Sequence, residues 1–128
     1  MKQAISTDKA PAAIGPYSQG VTAEVGKLLF TAGQLGMDPA TGALVPGGIG
    51  PECERAFQNL RNVLEAGGSS MDQVLKVTVF LASMEEFAAM TEIYQSYFQS
   101  PYPARSAFQD AQLPKGGRVE IEAVAVVG

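Results

Sequence analysis

Val74-Leu75-Lys76-Val77-Thr78-Val79-Phe80-Leu81 is the stretch that decides the fold. β-branched and aromatic side chains dominate it and most positions are apolar, as in a central strand covered on at least one face. It lies between two segments of helical period. Upstream, a helix starts near Pro51, a residue suited to a first turn. It carries Cys53, Ala56, Phe57, Leu60, Val63 and Leu64 at steps of three and four until Gly67-Gly68 ends it. Downstream, Ser83-Met84-Glu85-Glu86 fits a capping box, with Ser83 as cap and Glu86 three residues on. A second helix then runs to about Gln99, with Phe87, Met90, Tyr94 and Tyr97/Phe98 inward. Pro101-Tyr102-Pro103 stops it.

Farther out the pattern shifts to period two. A weak strand lies near residues 2–6. Residues 21–25 and 28–32 are short β-like runs joined by Gly26-Lys27, a link that suits a type II′ hairpin. Residues 33–50 hold Gly33, Gly36, Pro39, Gly42, Pro46, Gly47, Gly48 and Gly50 and form the longest loop, a common place for function. Residues 105–110 read as a short strand, Leu113-Pro114-Lys115-Gly116-Gly117 as a turn, and 119–127 as the last strand. On that strand Val119, Ile121, Ala123, Ala125 and Val127 share one face; Glu120, Glu122, Val124 and Val126 share the other.

The order β-β-β-α-β-α-β-β predicts one α+β domain over residues 1–128, a mixed sheet with two helices packed on one face. Its other face is left bare although it includes Val124 and Val126. A second copy of the chain is the simplest cover.

Composition narrows the function. An apolar share of 46 % and a charged share of 17 % exclude disorder. The net charge of −4 and the lack of a basic cluster argue against nucleic acid and anionic membrane as partners. With no histidine, Ser-His and Cys-His nucleophile pairs and His-ligated metals are excluded. Asp8, Asp38 and Asp72 have no metal-ligand spacing, and the glycines at 47, 48 and 50 make no phosphate loop. Cys53 is the one cysteine, on a buried stripe. It suits a reducing compartment and inert packing. The first seventeen residues lack a signal peptide's apolar core, and no run is long enough to span a membrane, so a soluble cytoplasmic protein is expected.

Few residues can carry chemistry. Arg105, at the start of a strand, reads either as a solvated cation or as a guanidinium fork for a carboxylate. Glu120, in an apolar frame, reads either as a surface acid or as a shielded carboxyl able to pass protons near neutrality. Tyr17 closes Ile14-Gly15-Pro16-Tyr17-Ser18, a turn or a pocket wall. Gly33-Gln34 follows a strand end, where backbone N–H groups either turn the chain or face a ligand.

Across nearly its whole length the chain resembles the RidA/YjgF family of reactive-intermediate imine deaminases. The blocks that carry the likeness are residues 10–20 (APAAIGPYSQG), Phe30-Thr31-Ala32-Gly33-Gln34-Leu35, Asp38-Pro39-Ala40-Thr41-Gly42 and Gln58-Asn59-Leu60. Near the end they are Pro103-Ala104-Arg105-Ser106, Leu113-Pro114-Lys115-Gly116 and Val119-Glu120-Ile121-Glu122-Ala123. The resemblance implies a chorismate-mutase-like fold assembled as a homotrimer with a barrel-like sheet core, and active sites between subunits. It implies cofactor-free hydrolysis of 2-imino acids, such as 2-iminobutanoate and 2-iminopropanoate, to 2-oxo acids and ammonia. Arg105 would bind the carboxylate, Glu120 would aim the water and exchange protons, Tyr17 would close the pocket from a neighbouring subunit, and Gly33 would line it. Many members have a cysteine where this chain has Ala107 and an asparagine where it has Thr91, two substrate-binding positions that bear on substrate range. Three other readings stay open: a non-catalytic trimer sensing a 2-oxo acid, a catabolic deaminase of a larger imine, and an RNA-cleaving protein.

Overall fold

The central strand is β5 (Val74–Leu81), and in the computed structural model, which describes residues 2–128, the rest of the sheet forms around it. Met1, the first residue of the single unit expected from the sequence, lies outside the described residues. On one side β5 pairs in parallel with β6 (Ala104–Gln109); on the other it pairs antiparallel with β7 (Val119–Val126). β7 is also flanked by β3 (Leu28–Phe30) and the two-residue β4 (Gln34–Leu35), both antiparallel to it. The order β3-β7-β5-β6 makes the sheet mixed, with β6 at one edge. A long right-handed return is needed between parallel neighbours, and α2 (Phe87–Tyr97) supplies it between β5 and β6.

Two helices cover one face of this sheet. α1 (Ile49–Ala66) buries Cys53, Ala56, Phe57, Leu60 and Leu64 against Val77, Val79 and Leu81 of β5 and Val119, Ile121, Ala123 and Ala125 of β7. Each large side chain fully buried here contributes about 1.5–3 kcal/mol before the entropy of ordering it. Phe57 joins the helices: its ring stacks on Tyr97 at 5.0 Å and meets Tyr94 edge-on at 5.8 Å. No helix among the described residues is long and apolar enough to cross a membrane.

Several expectations need correcting. The residue 21–25 and 28–32 runs do not form a hairpin. β2 (Gly20–Ala23) pairs instead with β1 (Lys2–Ile5) in a separate two-stranded sheet, so there are two sheets and not one. Gly26 does not take the positive φ that a type II′ turn requires. The 33–50 segment is not all loop, since β4 lies in it and α1 begins at Ile49, two residues before Pro51. Val63 is 36 % exposed, on the flank of the α1 stripe and not within it. The capping box is not closed: Ser83 Oγ accepts the Glu85 N–H, and the Glu86 carboxylate bonds Arg118 instead (Nη2 at 2.6 Å, Nε at 2.9 Å). Helix two ends at Tyr97, short of Gln99.

The far face of the sheet is apolar and open. Phe30 opposes Val124, Leu28 opposes Val126, and Phe80 and Phe108 meet edge-on at 5.0 Å. Phe30 is 71 % exposed and Phe108 46 %, on the face expected to need a cover.

Candidate active site

Arg105 is placed by a strand and a helix. In the β5–β6 register it lies opposite Val77, a core residue, so its side chain rises on the helix face. There it meets α2, whose Phe87, Thr91 and Tyr94 share one side at steps of four and three. The guanidinium carbon stands 5.3 Å from the Phe87 ring centre and 4.8 Å from that of Tyr94. Nη1 donates to Thr91 Oγ1 at 3.2 Å. A third ring, Tyr17, lies 5.5 Å away. It is brought there because Ser18 N–H donates to the Pro103 carbonyl at 3.1 Å, tying the N-terminal segment to the start of β6.

Half-burial lowers the Arg105 pKa, while Tyr94 and Tyr17 pull it back up. An arginine stays charged under such a shift. The π-faces offset part of its desolvation. Among the described residues its one hydrogen-bond acceptor is Thr91, and the single salt bridge is Arg118–Glu86 elsewhere. A half-buried guanidinium with rings on its faces and N–H groups to spare has the geometry to pair with a planar anion. The Tyr94 hydroxyl beneath it is buried without a partner, and burial pushes its pKa well up.

Glu120 forms a second, separate cluster. On β7 it opposes Phe80 of β5 and Leu35 of β4. Burial raises its pKa, with Glu122 and Asp110 adding to the effect. Gly33 lies directly against it: a Cβ at position 33 would stand 2.8 Å from the Glu120 Cδ and 3.0 Å from its Cγ, and would collide with Oε2. Any side chain at 33 must therefore displace the carboxylate. Gly33→Ala is expected to keep the fold and lower turnover several-fold, about as much as a small misplacement of a reacting group costs. Steady-state kinetics beside a urea unfolding curve check this.

The two clusters are on opposite faces of the sheet. Arg105 shares its face with Val77, Val79 and Ile121, and Glu120 shares its own with Phe80 and Phe108. They are also two strands apart, about 10 Å across the sheet. Of the residues singled out in the sequence, the fold thus brings together Arg105, Tyr17 and Thr91, and separately Glu120 and Gly33. Ala107 lies two residues beyond Arg105 on the same face, with its side chain against the core. Tyr17 stands over the arginine of its own chain. Thr91 touches Arg105 directly. The helical period marks Phe87 and Tyr94 as inward-facing and gives them no site role; the signal for that role is that they share Thr91's side of α2.

The sequence profile of the family described as endoribonuclease L-PSP matches residues 7–127. A goat (Capra hircus) protein named 2-iminobutanoate/2-iminopropanoate deaminase is 54 % identical over 100 % of this chain and 92 % of its own. The crystal structure of RidA from an Antarctic Psychrobacter is similar with a TM-score of 0.76 at 44 % identity, covering 98 % of this chain and 99 % of that one. The structure of Escherichia coli TdcF with bound serine has a TM-score of 0.75 at 37 % identity, covering 98 % and 99 %. With a profile spanning almost every residue and relatives this similar end to end, the chain belongs to the endoribonuclease L-PSP family, the RidA/YjgF proteins whose sequence blocks it carries.

Proposed function

We propose that this protein hydrolyses 2-imino acids to 2-oxo acids and ammonia, as a 2-iminobutanoate/2-iminopropanoate deaminase that removes reactive products of pyridoxal-phosphate enzymes. The observation that carries the reading is the Arg105 guanidinium, half-buried among Tyr17, Phe87 and Tyr94 with a single hydroxyl as acceptor. A buried cation with N–H groups to spare is costly until an anion arrives. A 2-imino acid carries a planar carboxylate beside its C=N bond. The goat relative's name and the serine held by TdcF, itself an α-carboxylate, support the same ligand class.

The chemistry needs little more. Arg105 holds the carboxylate, with the Ala107 backbone beside it, and Tyr17 closes over the pair. Glu120, ionised, takes a proton from water as its oxygen attacks the imine carbon. The C=N π pair moves to nitrogen, leaving a carbinolamine. Glu120 returns that proton to nitrogen, completing the amino group, and then carries the hydroxyl proton to nitrogen as well, so that ammonia leaves with the C–N bond pair as the carbonyl forms. Orientation and one proton carrier are enough for so electrophilic a carbon, and no cofactor is invoked.

The two faces support an assembly of several copies. We assign a homotrimer in which Leu28, Phe30 and Phe108 are covered by neighbours and the Arg105 cluster of one chain meets the Glu120 cluster of the next. We place it in the cytoplasm. Cys53 fits that compartment: it is buried, with its thiol pushed up to about 12 by burial and by Glu54, too high for reaction. The family's description raises RNA as a rival substrate, but a net charge of −4 offers no phosphate-binding stripe.

The test couples threonine dehydratase to semicarbazide, which traps the imine. Wild-type protein is expected to diminish the trapped product, and no change overturns the reading. Run across pH, the rate should fall on the acid side. There the raised Glu120 carboxyl takes up its proton and can no longer accept one from water.

A further inference from the structure

Asn59 lies on the flank of α1 with its side-chain amide fully used. Nδ2 donates to the Leu35 carbonyl at 3.0 Å and to the Met37 carbonyl at 2.9 Å, and Oδ1 accepts from Arg55 Nε at 3.2 Å. The two carbonyls flank Gly36, which rests on the helix itself: a Cβ there would stand 2.6 Å from the Glu52 Cα. Seven residues before Asn59, on the same side of α1, Glu52 is only 6 % exposed. Its Oε1 accepts the backbone N–H of Arg118 at 2.8 Å.

These bonds act on two particular backbones. Leu35 is the β4 residue that pairs with Glu120, and β4 directly follows Gly33. Arg118 is two residues before Glu120 on the way into β7. One helix thus grips both strands that set the Glu120 carboxylate against Gly33, and it does so through side-chain-to-backbone hydrogen bonds that an apolar residue of similar size cannot make. A strand pair only two residues long supplies little register of its own, so the grip has work that the sheet leaves undone.

We propose that Asn59 and Glu52 are positioning residues for imine hydrolysis, fixing the Glu120 carboxylate through β4 and the start of β7; this rests on Glu120 acting as the proton carrier. Asn59→Asp keeps the shape but removes both N–H donors. It is expected to lower kcat about fivefold or more while KM stays within about twofold, because the carboxylate grip of Arg105 is on the other face. The Glu120 carboxyl titration, followed by carbon-13 NMR on labelled protein, should move as well. Glu52→Gln retains an oxygen for the Arg118 N–H and should keep kcat, whereas Glu52→Leu should lose it.

The proposal is overturned if Asn59→Asp and Glu52→Leu lower the unfolding midpoint yet leave kcat, KM and the Glu120 titration at wild-type values. Should Asn59→Asp not fold, the two Glu52 variants decide on the same readouts. Failure of the underlying reading looks different: Glu120→Gln then keeps full kcat. The Glu120 titration in Asn59→Asp, which needs no turnover, still decides whether Asn59 places the carboxylate.

Discussion

Arg105→Ala is expected to lower kcat/KM for a 2-imino acid by roughly ten- to a hundredfold or more, the equivalent of about 1.5–3 kcal/mol of charged hydrogen bonding. The loss should fall largely on KM for substrates held mainly by their carboxylate. It extends to kcat where the grip also orients the imine carbon. Arg105→Lys should not restore it. Lysine brings the charge but not the fork, and its ammonium cannot lie flat between the rings of Tyr17, Phe87 and Tyr94. The fold should survive both changes, because the residue is only part-buried on an edge strand. Steady-state kinetics on a short and a longer imine, with circular dichroism as a control, read the result. A kcat/KM within about threefold of wild type, about the size of a single weak hydrogen bond, removes Arg105 from the site.

How much of this was legible in the sequence depends on range. The presence and type of the two helices and of β5 and β7, though not every boundary, were legible because their signals are local: a 3.6-residue stripe through Cys53, Ala56, Phe57, Leu60 and Leu64, and strict alternation from Val119 onward. Pairings were not legible. Gly26-Lys27 looked like a hairpin turn, yet β2 lies against β1 and β3 against β7, partners chosen by packing far along the chain. β4 is too short to show any period. Glu86 looked like half of a capping box because Arg118, 32 residues away, was not in view. Arg105 and Glu120 could be picked as candidates from their surroundings, but which faces they occupy depends on the β5–β6 and β5–β7 registers. A single step in either would put both on one side.

That separation of faces leads to the second large effect. Arg105→Ala and Glu120→Gln are each expected to retain at most about a tenth of wild-type activity alone, for on the proposed reading each removes one half of every site. If a site takes its arginine from one chain and its glutamate from the next, a mixed trimer contains one junction at which the Glu120→Gln chain supplies the arginine and the Arg105→Ala chain supplies the glutamate. When equal amounts are unfolded and refolded together, three quarters of random trimers are mixed and one site in three is whole, so about a quarter of wild-type activity should return. Mixing the folded proteins without refolding should restore much less. Arg105→Ala/Glu120→Gln in a single chain, refolded with wild type, should leave mixed trimers with at most one working site each. A site contained within one chain gives a different outcome: the co-refolded pair stays at the residual activity of its parts. Because Glu120→Gln preserves size and Arg105→Ala removes a part-buried side chain from an edge strand, neither should block assembly, and size-exclusion chromatography of the refolded mixture checks that the trimer has formed.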